Sequence, residues 1–250
     1  MMKWMLFFVL GLFFLGGAAY GFQVDLRKEN FDTEGSGKTR SLIVMNKGTN
    51  LLAVEIAMVT RHIDVDGQET LGGPNIDFDI YPTQLLVNPG EDAHVTLVWN
   101  GTVKPDRELA YRLITKEIPF HDDASFKVGP IELLVGRRFL NAAYVTPPNV
   151  KPNIRLQSLT ASENKGVSSL VVVIENVGTA HKIVSGFAVK ATHRVSGGKG
   201  VPLARPIEIR DPSFSKNINI LPGGAMRFVI PWPADLPEEK GFQGEILDVR

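Results

Sequence analysis

Apolar and polar positions alternate with a period of two through most of this chain, and the alternation breaks at short intervals on Gly, Pro and Asn. Period two puts successive side chains on opposite faces of a strand. In the first half the runs "FQVDLR", "RSLIVMN", "LLAVEIAMVTRHID", "IDFDIYP", "AHVTLVW", "ELAYRLITKEI" and "PIELLVGRRFLNAAYV" predict strands. In the second half "NIRLQSLTA", "SSLVVVIEN", "KIVSGFAVKATHRV", "PIEIRD", "NINIL", "MRFVIPW" and "FQGEILDV" do the same. Helical periodicity is almost absent, so the pattern predicts an all-β chain of sandwich type.

The pattern also repeats. "IVMNKGTN" places Asn46, Gly48 and Thr49 as "VVIENVGTAH" places Asn176, Gly178 and Thr179, 130 positions later. "VNPGEDAHVTLVW" and "ILPGGAMRFVIPW" align Pro89-Gly90 with Pro222-Gly223 and Trp99 with Trp232, at an offset of 133. Near-equal offsets of this size indicate a duplicated domain rather than a solenoid. The joint is "VTPPNVKPN", where Pro147, Pro148 and Pro152 stiffen a short connection. The expected division is 1–21 as a signal peptide, 22–148 as a first sandwich and 149–250 as a second.

Composition narrows the class. With 44% hydrophobic and 22% charged residues, each half has enough apolar material for its own core. The 27 basic and 27 acidic residues cancel, which leaves no global field to favour nucleic acid. Lys3, the apolar "WMLFFVLGLFFLGG" and the small residues of "AAYG" have the layout of a secretory signal cleaved after Gly21. The apolar stretch is short for a membrane span and is interrupted by Gly11, Gly16 and Gly17. The chain has no cysteine, hence no lipid-modified Cys and no disulfide. A soluble exported protein of the periplasm is the expectation.

Candidate chemistry is sparse. Asp64, Asp66 and Gly67 have the opening spacing of a calcium loop but lack the later Glu, and read as a turn between strands. His62, His94, His121, His181 and His193 have no supporting ligand spacing, so no metal is assigned. There is no nucleophile elbow, no cysteine nucleophile and no phosphate-binding loop. Asn100-Gly101-Thr102 matches a glycosylation sequon and also reads as a turn. No enzyme activity, cofactor or small-molecule substrate is expected.

Two strands stand out. Ile131, Leu133 and Val135 share a face and run into Arg137 and Arg138; Phe22, Val24 and Leu26 share a face and run into Arg27 and Lys28. Each is open to two readings, a core strand with a basic end or an edge that lends its apolar row to a partner by β-augmentation. The polar segment His121–Gly129 ahead of the first is expected to be a mobile, protease-sensitive lead.

Those residues, with "YPTQLLVNPGE", "YRLITKEIP", "AAYVTPP" and "ENVGTAH", resemble the periplasmic pilus-assembly chaperones of the chaperone-usher pathway across about residues 22–250. The resemblance implies two immunoglobulin-like domains in a boomerang. It implies that Ile131, Leu133 and Val135 form a donor strand for an incomplete pilus or fimbrial subunit, with Phe22, Val24 and Leu26 beside it, and that an outer-membrane usher receives the product. It implies further that the subunit's terminal carboxylate is held between the domains by Lys28, with Arg27 as the slip alternative, together with Arg137 or Arg138. Lys28 stands where the family usually has Arg, and "AHVTLVW" lacks an Arg common there, which marks a divergent member of archaic type. The rival reading is a secreted two-domain structural or adhesive protein, since a sandwich alone does not fix function.

Overall fold

The computed structural model describes residues 21–74, 76–119, 125–128, 131–134, 136–193, 201–202, 207–210, 218–233 and 242–249. Residues 1–20 of the expected signal segment 1–21 lie outside these residues, as do His121 and Val135. The chain is all-β, and among the described residues the only helical element is a 3-10 turn at Gly35–Lys38. No helix among them is long and apolar enough to cross a membrane.

The first half contains β1 (Phe22–Leu26), β2 (Asn30–Phe31), β3 (Thr39–Asn46), β4 (Leu52–Ile63), β5 (Glu69–Pro74), β6 (Phe78–Tyr81), β7 (Gln84–Val87), β8 (Asp92–Trp99), β9 (Leu109–Glu117), β10 (Ser125–Val128), β11 (Ile131–Leu134) and β12 (Arg138–Val145). One sheet runs β1-β3-β8-β6; the other runs β2-β12-β9-β4-β5, with β7 also on β4. The first strand changes sheets: β1 pairs antiparallel with β3, whereas β2 pairs parallel with β12. Alternation builds the core between the sheets. Leu42, Val44, Val95, Leu97 and Trp99 meet Val54, Ile56, Met58, Leu113 and Val145. Phe78 contacts Phe31, Trp99 and Tyr111 edge-on, each at 5.1 Å, so offset aromatic packing adds to area burial at the centre.

The second half contains β13 (Ile154–Asn164), β14 (Val167–Asn176), β15 (Lys182–Val184), β16 (Gly186–His193), β17 (Val201–Pro202), β18 (Ile207–Arg210), β19 (Ile218–Ile220), β20 (Ala225–Pro231) and β21 (Phe242–Val249). The sheet β13-β14-β20 faces β15-β19 and the group β17, β16, β18 and β21. Leu170, Val172, Ile174, Met226 and Phe228 pack there against Val184, Phe187, Val189, Ala191 and Ile220.

The sequence echo has an atomic cause. Asn46 ends β3 buried, and its Nδ2 donates to the carbonyls of Asn50 at 2.8 Å and Val87 at 2.9 Å, while its Oδ1 accepts from Gly48 N–H at 3.0 Å. Asn176 ends β14 buried and repeats each bond, to Ala180 at 2.8 Å, Ile220 at 3.0 Å and Gly178 at 3.0 Å. Gly90 and Gly223 both have φ +76° and both donate to the carbonyl of that Asn. One amide thus ties a strand end to a Pro-Gly turn in each sandwich. Asn supplies both the donors and the acceptor the site needs.

Two sequence expectations change, and a third holds. "PIELLVGRRFLNAAYV" is not one strand: β11 ends at Leu134, and β12 starts at Arg138. The expected mobile lead His121–Gly129 is not wholly irregular, because Ser125–Val128 forms β10 and pairs with β11, Phe126 opposite Leu133; residues 121–124 and 129 lie outside the described residues. The Asp64–Gln68 segment is the turn expected, with Asp64 Oδ1 accepting from the N–H groups of Asp66 at 2.9 Å and Gln68 at 2.8 Å.

Candidate functional site

On β4, β9 and β12 the inward positions build the first core, so the intervening residues form the outer face of the sheet. In register these outer residues make levels: Glu55, Lys116 and Arg138; then Ala57, Ile114 and Leu140; then Val59, Arg112 and Ala142. Arg61 and Tyr144 follow at the end of the face. There the second sandwich covers it, leaving a cleft of about 800 Å³ whose lining includes Arg61, Arg112, Tyr144, Ile183, Asn219 and Phe228.

One wall of the cleft is polar. Arg112 grips Glu69 with both arms of its guanidinium, Nε to Oε1 at 2.6 Å and Nη2 to Oε2 at 2.7 Å. Glu69 comes from β5, paired opposite Ile63, and lies on the same face. Arg61, only 4% exposed, places Nε 3.2 Å from the same Oε1 and its Nη1 donates to the Tyr144 hydroxyl at 3.4 Å. Asn219 Nδ2 donates to that hydroxyl at 2.6 Å. Among the described residues, Arg61 Nε and Asn219 Oδ1 are buried with no hydrogen-bond partner, which is costly unless a ligand completes them. The facing wall, Ile183, Ile218, Met226 and Phe228, is apolar.

The ionic states follow from these contacts. The hydrogen bond from Arg112 holds the Glu69 carboxyl below its usual value, against a smaller opposing push from burial. The same bond raises Arg112. Burial pushes the Tyr144 hydroxyl up, with the Arg61 charge acting against it, so Tyr144 enters the site as a neutral hydroxyl. A carboxyl with a depressed folded value stabilises the fold above its ordinary value of 4.5 and loses that contribution as pH falls through the folded value. Wild type is therefore expected to exceed Glu69→Gln in urea midpoint at neutral pH, with the two midpoints converging below the ordinary carboxyl range. A constant gap across that range in parallel urea titrations would contradict the ion pair.

The seam beside the cleft is also built from specific groups. Glu108 is 4% exposed; its Oε1 accepts from His181 N–H at 3.0 Å and lies 2.5 Å from His181 Nδ1, and Thr146 donates to Oε2 at 3.1 Å. The Tyr144 ring stacks on His181 at 4.1 Å and 10°. Glu108 N–H donates to Thr179 at 2.9 Å, and Arg227 N–H donates to Val65 at 2.7 Å. Gly178 is required in this region because a Cβ there would lie 2.4 Å from Lys151 O and Asn153 N.

The cations expected to form the clamp, Lys28 or Arg27 with Arg137 or Arg138, are not among the residues that line the cleft. Arg137 is at the far end of the sheet, bound to Glu117 at 2.9 and 3.2 Å with its guanidinium 5.3 Å from the Phe22 ring. Arg138 stands opposite Lys116, six residues and about 20 Å along β12 from Tyr144. Lys28 sits at the other end, in the crossing between β1 and β2, next to Glu29, whose carbonyl accepts from Tyr144 N–H. Arg27 is exposed and lies 4.0 Å from Asp25. In their place the fold brings Arg61 and Arg112 together from β4 and β9. The outward positions of "VTRHI" and "AYRLI" are the only sequence signal for them, and on an open sheet that signal reads as solvent-facing charge.

The strands expected to bind are partly open. Phe22 is buried against Phe139, with ring centroids 4.8 Å apart, and Val24 and Leu26 pack on the same core, so the first strand's apolar row serves the core. β12 pairs with β2 only at Tyr144 and Val145, so its outer edge from Arg138 to Ala143 has no ladder partner among the described strands. β11 pairs with β10 alone, which leaves its other edge without one among them.

No family model matches this chain, and no curated protein matches it. Solved structures match it in fold. A chain of the CsuC–CsuE chaperone–tip adhesion subunit pre-assembly complex, from the archaic chaperone-usher Csu pili of Acinetobacter baumannii, is 13% identical with a TM-score of 0.54, over 90% of this chain and 98% of that chain. A chain of the chaperone–tip adhesin complex of CFA/I fimbriae biogenesis is 16% identical with a TM-score of 0.50, over 84% of this chain and 88% of that chain. The protein therefore shares the two-sandwich, immunoglobulin-like fold found in these chaperone–subunit complexes.

Proposed function

We propose that this protein is an exported, periplasmic, non-enzymatic chaperone, a divergent member of the pilus-assembly chaperones, that caps a fimbrial subunit by lending it a strand and passes it to an outer-membrane usher. The observation that carries the reading is the open edge of β12, which runs along an apolar outer level, Leu140 and Ile114, into a cleft with a buried guanidinium, that of Arg61, whose Nε makes no hydrogen bond. An unpaired edge is a liability unless a partner covers it. We assign the subunit's terminal carboxylate to Arg61 and Arg112 rather than to Lys28, Arg137 and Arg138, because a planar guanidinium grips carboxylate through paired bonds. The donor row is Ile131, Leu133 and Val135, continued by β12, and the two domains divide at 148/149. The shared fold with chaperone–subunit complexes supports this reading.

Leu133→Asp is the test. A charge in the donated row cannot be buried in a subunit groove, so the variant is expected to fold with unchanged thermal midpoint and to recover no subunit when purified from periplasm. Undiminished recovery, or loss of the fold itself, would remove Leu133 from the donor role and favour the adhesive alternative.

A further inference from the structure

Taking the cleft as the seat of a partner's terminal carboxylate, we propose that Glu69 is the internal stand-in for that carboxylate, holding the two guanidinium groups while the cleft is empty and yielding them to the partner.

The two guanidinium groups need an anion. Arg61 is 4% exposed, and a buried guanidinium with no carboxylate near it is strongly unfavourable. Glu69 meets this need incompletely: it saturates the fork of Arg112 but reaches Arg61 Nε at 3.2 Å without forming a hydrogen bond. The charges are already balanced, since Arg61, Arg112 and Arg227 face Glu29, Asp66 and Glu69, and Arg227 is paired with Asp66 at 3.2 Å. An additional carboxylate is accommodated only if Glu69 gives way.

Glu69 is placed to do so. It begins β5, the outermost strand of its sheet, which pairs with β4 alone and across a register shift between Val59 and Arg61. All of β5 except Leu71 is exposed, so few apolar contacts hold it. Such an occupant filters ligands. A small free anion must compete with a bidentate carboxylate, whereas a chain end also pairing along β12 brings further contacts to the exchange.

The probe is acetyl-Ala-Ala-Phe with a free carboxylate, against its C-terminal amide, measured by calorimetry on wild type and Glu69→Gln. The Gln variant keeps size and an acceptor while losing the charge. It is expected to bind the free carboxylate about tenfold or more tightly than wild type does, to bind the amide as wild type does, and to regain with the carboxylate probe the thermal midpoint that the substitution lowers. Glu69→Asp, which shortens the reach to Arg112 without removing charge, is expected to bind between the two and carries the test if the Gln variant does not fold. Equal carboxylate affinity across the three proteins, with a retained preference over amide, makes Glu69 structural and overturns the proposal while the cleft assignment stands. Loss of that preference in wild type and variants alike overturns the cleft assignment, and the proposal with it.

Discussion

Asn176→Ala is expected to lower the unfolding free energy by about 3 to 5 kcal/mol, because it strips partners from several buried groups at once. The carbonyls of Ala180 and Ile220 lose their donor and Gly178 N–H loses its acceptor. Asn176 is fully buried, so no water is at hand to replace the amide. Asn176→Asp is expected to be worse: the carboxylate still accepts from Gly178 but sets a negative charge against two carbonyl oxygens. Asn46→Ala should cost a similar amount, since the first sandwich makes the same bonds. Urea unfolding of the three variants checks this. A loss below about 1 kcal/mol, the net value of one ordinary hydrogen bond, would mean the turns hold without their tie.

Glu108→Ala should separate the two halves of the molecule. Its carboxylate takes His181 N–H and Nδ1 and the Thr146 hydroxyl, so the change removes a buried polar link across the seam. Breaking such a buried charged cluster costs roughly 3 to 5 kcal/mol. The cores themselves keep their contacts, because neither cluster of buried side chains includes Glu108. Unfolding followed through Trp99 and through Trp232, each in a background where the other is Phe, is therefore expected to split into two transitions. Coincident transitions in the variant would place the coupling elsewhere along the seam.

The sequence made the strong strands legible because their cause is local. β3 and β14 alternate inward Leu, Val and Ile with outward residues and end on the same Asn, and this pattern is visible without coordinates. β2, β5 and β7 were not legible: "NF" is too short to show a period, "ETLGGP" carries the residues of a turn, and each becomes a strand only because a neighbouring edge accepts it. The cleft was hidden for a related reason. Arg61, Arg112 and Tyr144 occupy outward positions, and whether such a position meets water or a second sandwich is decided by residues far along the chain, such as His181 and Asn219. Arg137 shows the converse. It reads as an unattached strand-end charge, and Glu117, twenty positions earlier, holds it.

β4 has a mechanical consequence. It begins among the first core and its last residue, Ile63, packs against the second, while the turn beyond it reaches Arg227 through Val65 and Asp66. The proline joint is a separate point of attachment, pinned where Thr179 N–H meets Lys151 O at 2.8 Å. A body held at one point swivels freely, a body held at two turns about the line between them, and a third attachment off that line removes the remaining freedom. The Tyr144–Asn219 bond adds a third attachment, from β12 to β19. These attachments hold the two walls of the cleft at a set width, so the proposed capture of a chain end would need exchange at Glu69 but no closing of one sandwich on the other.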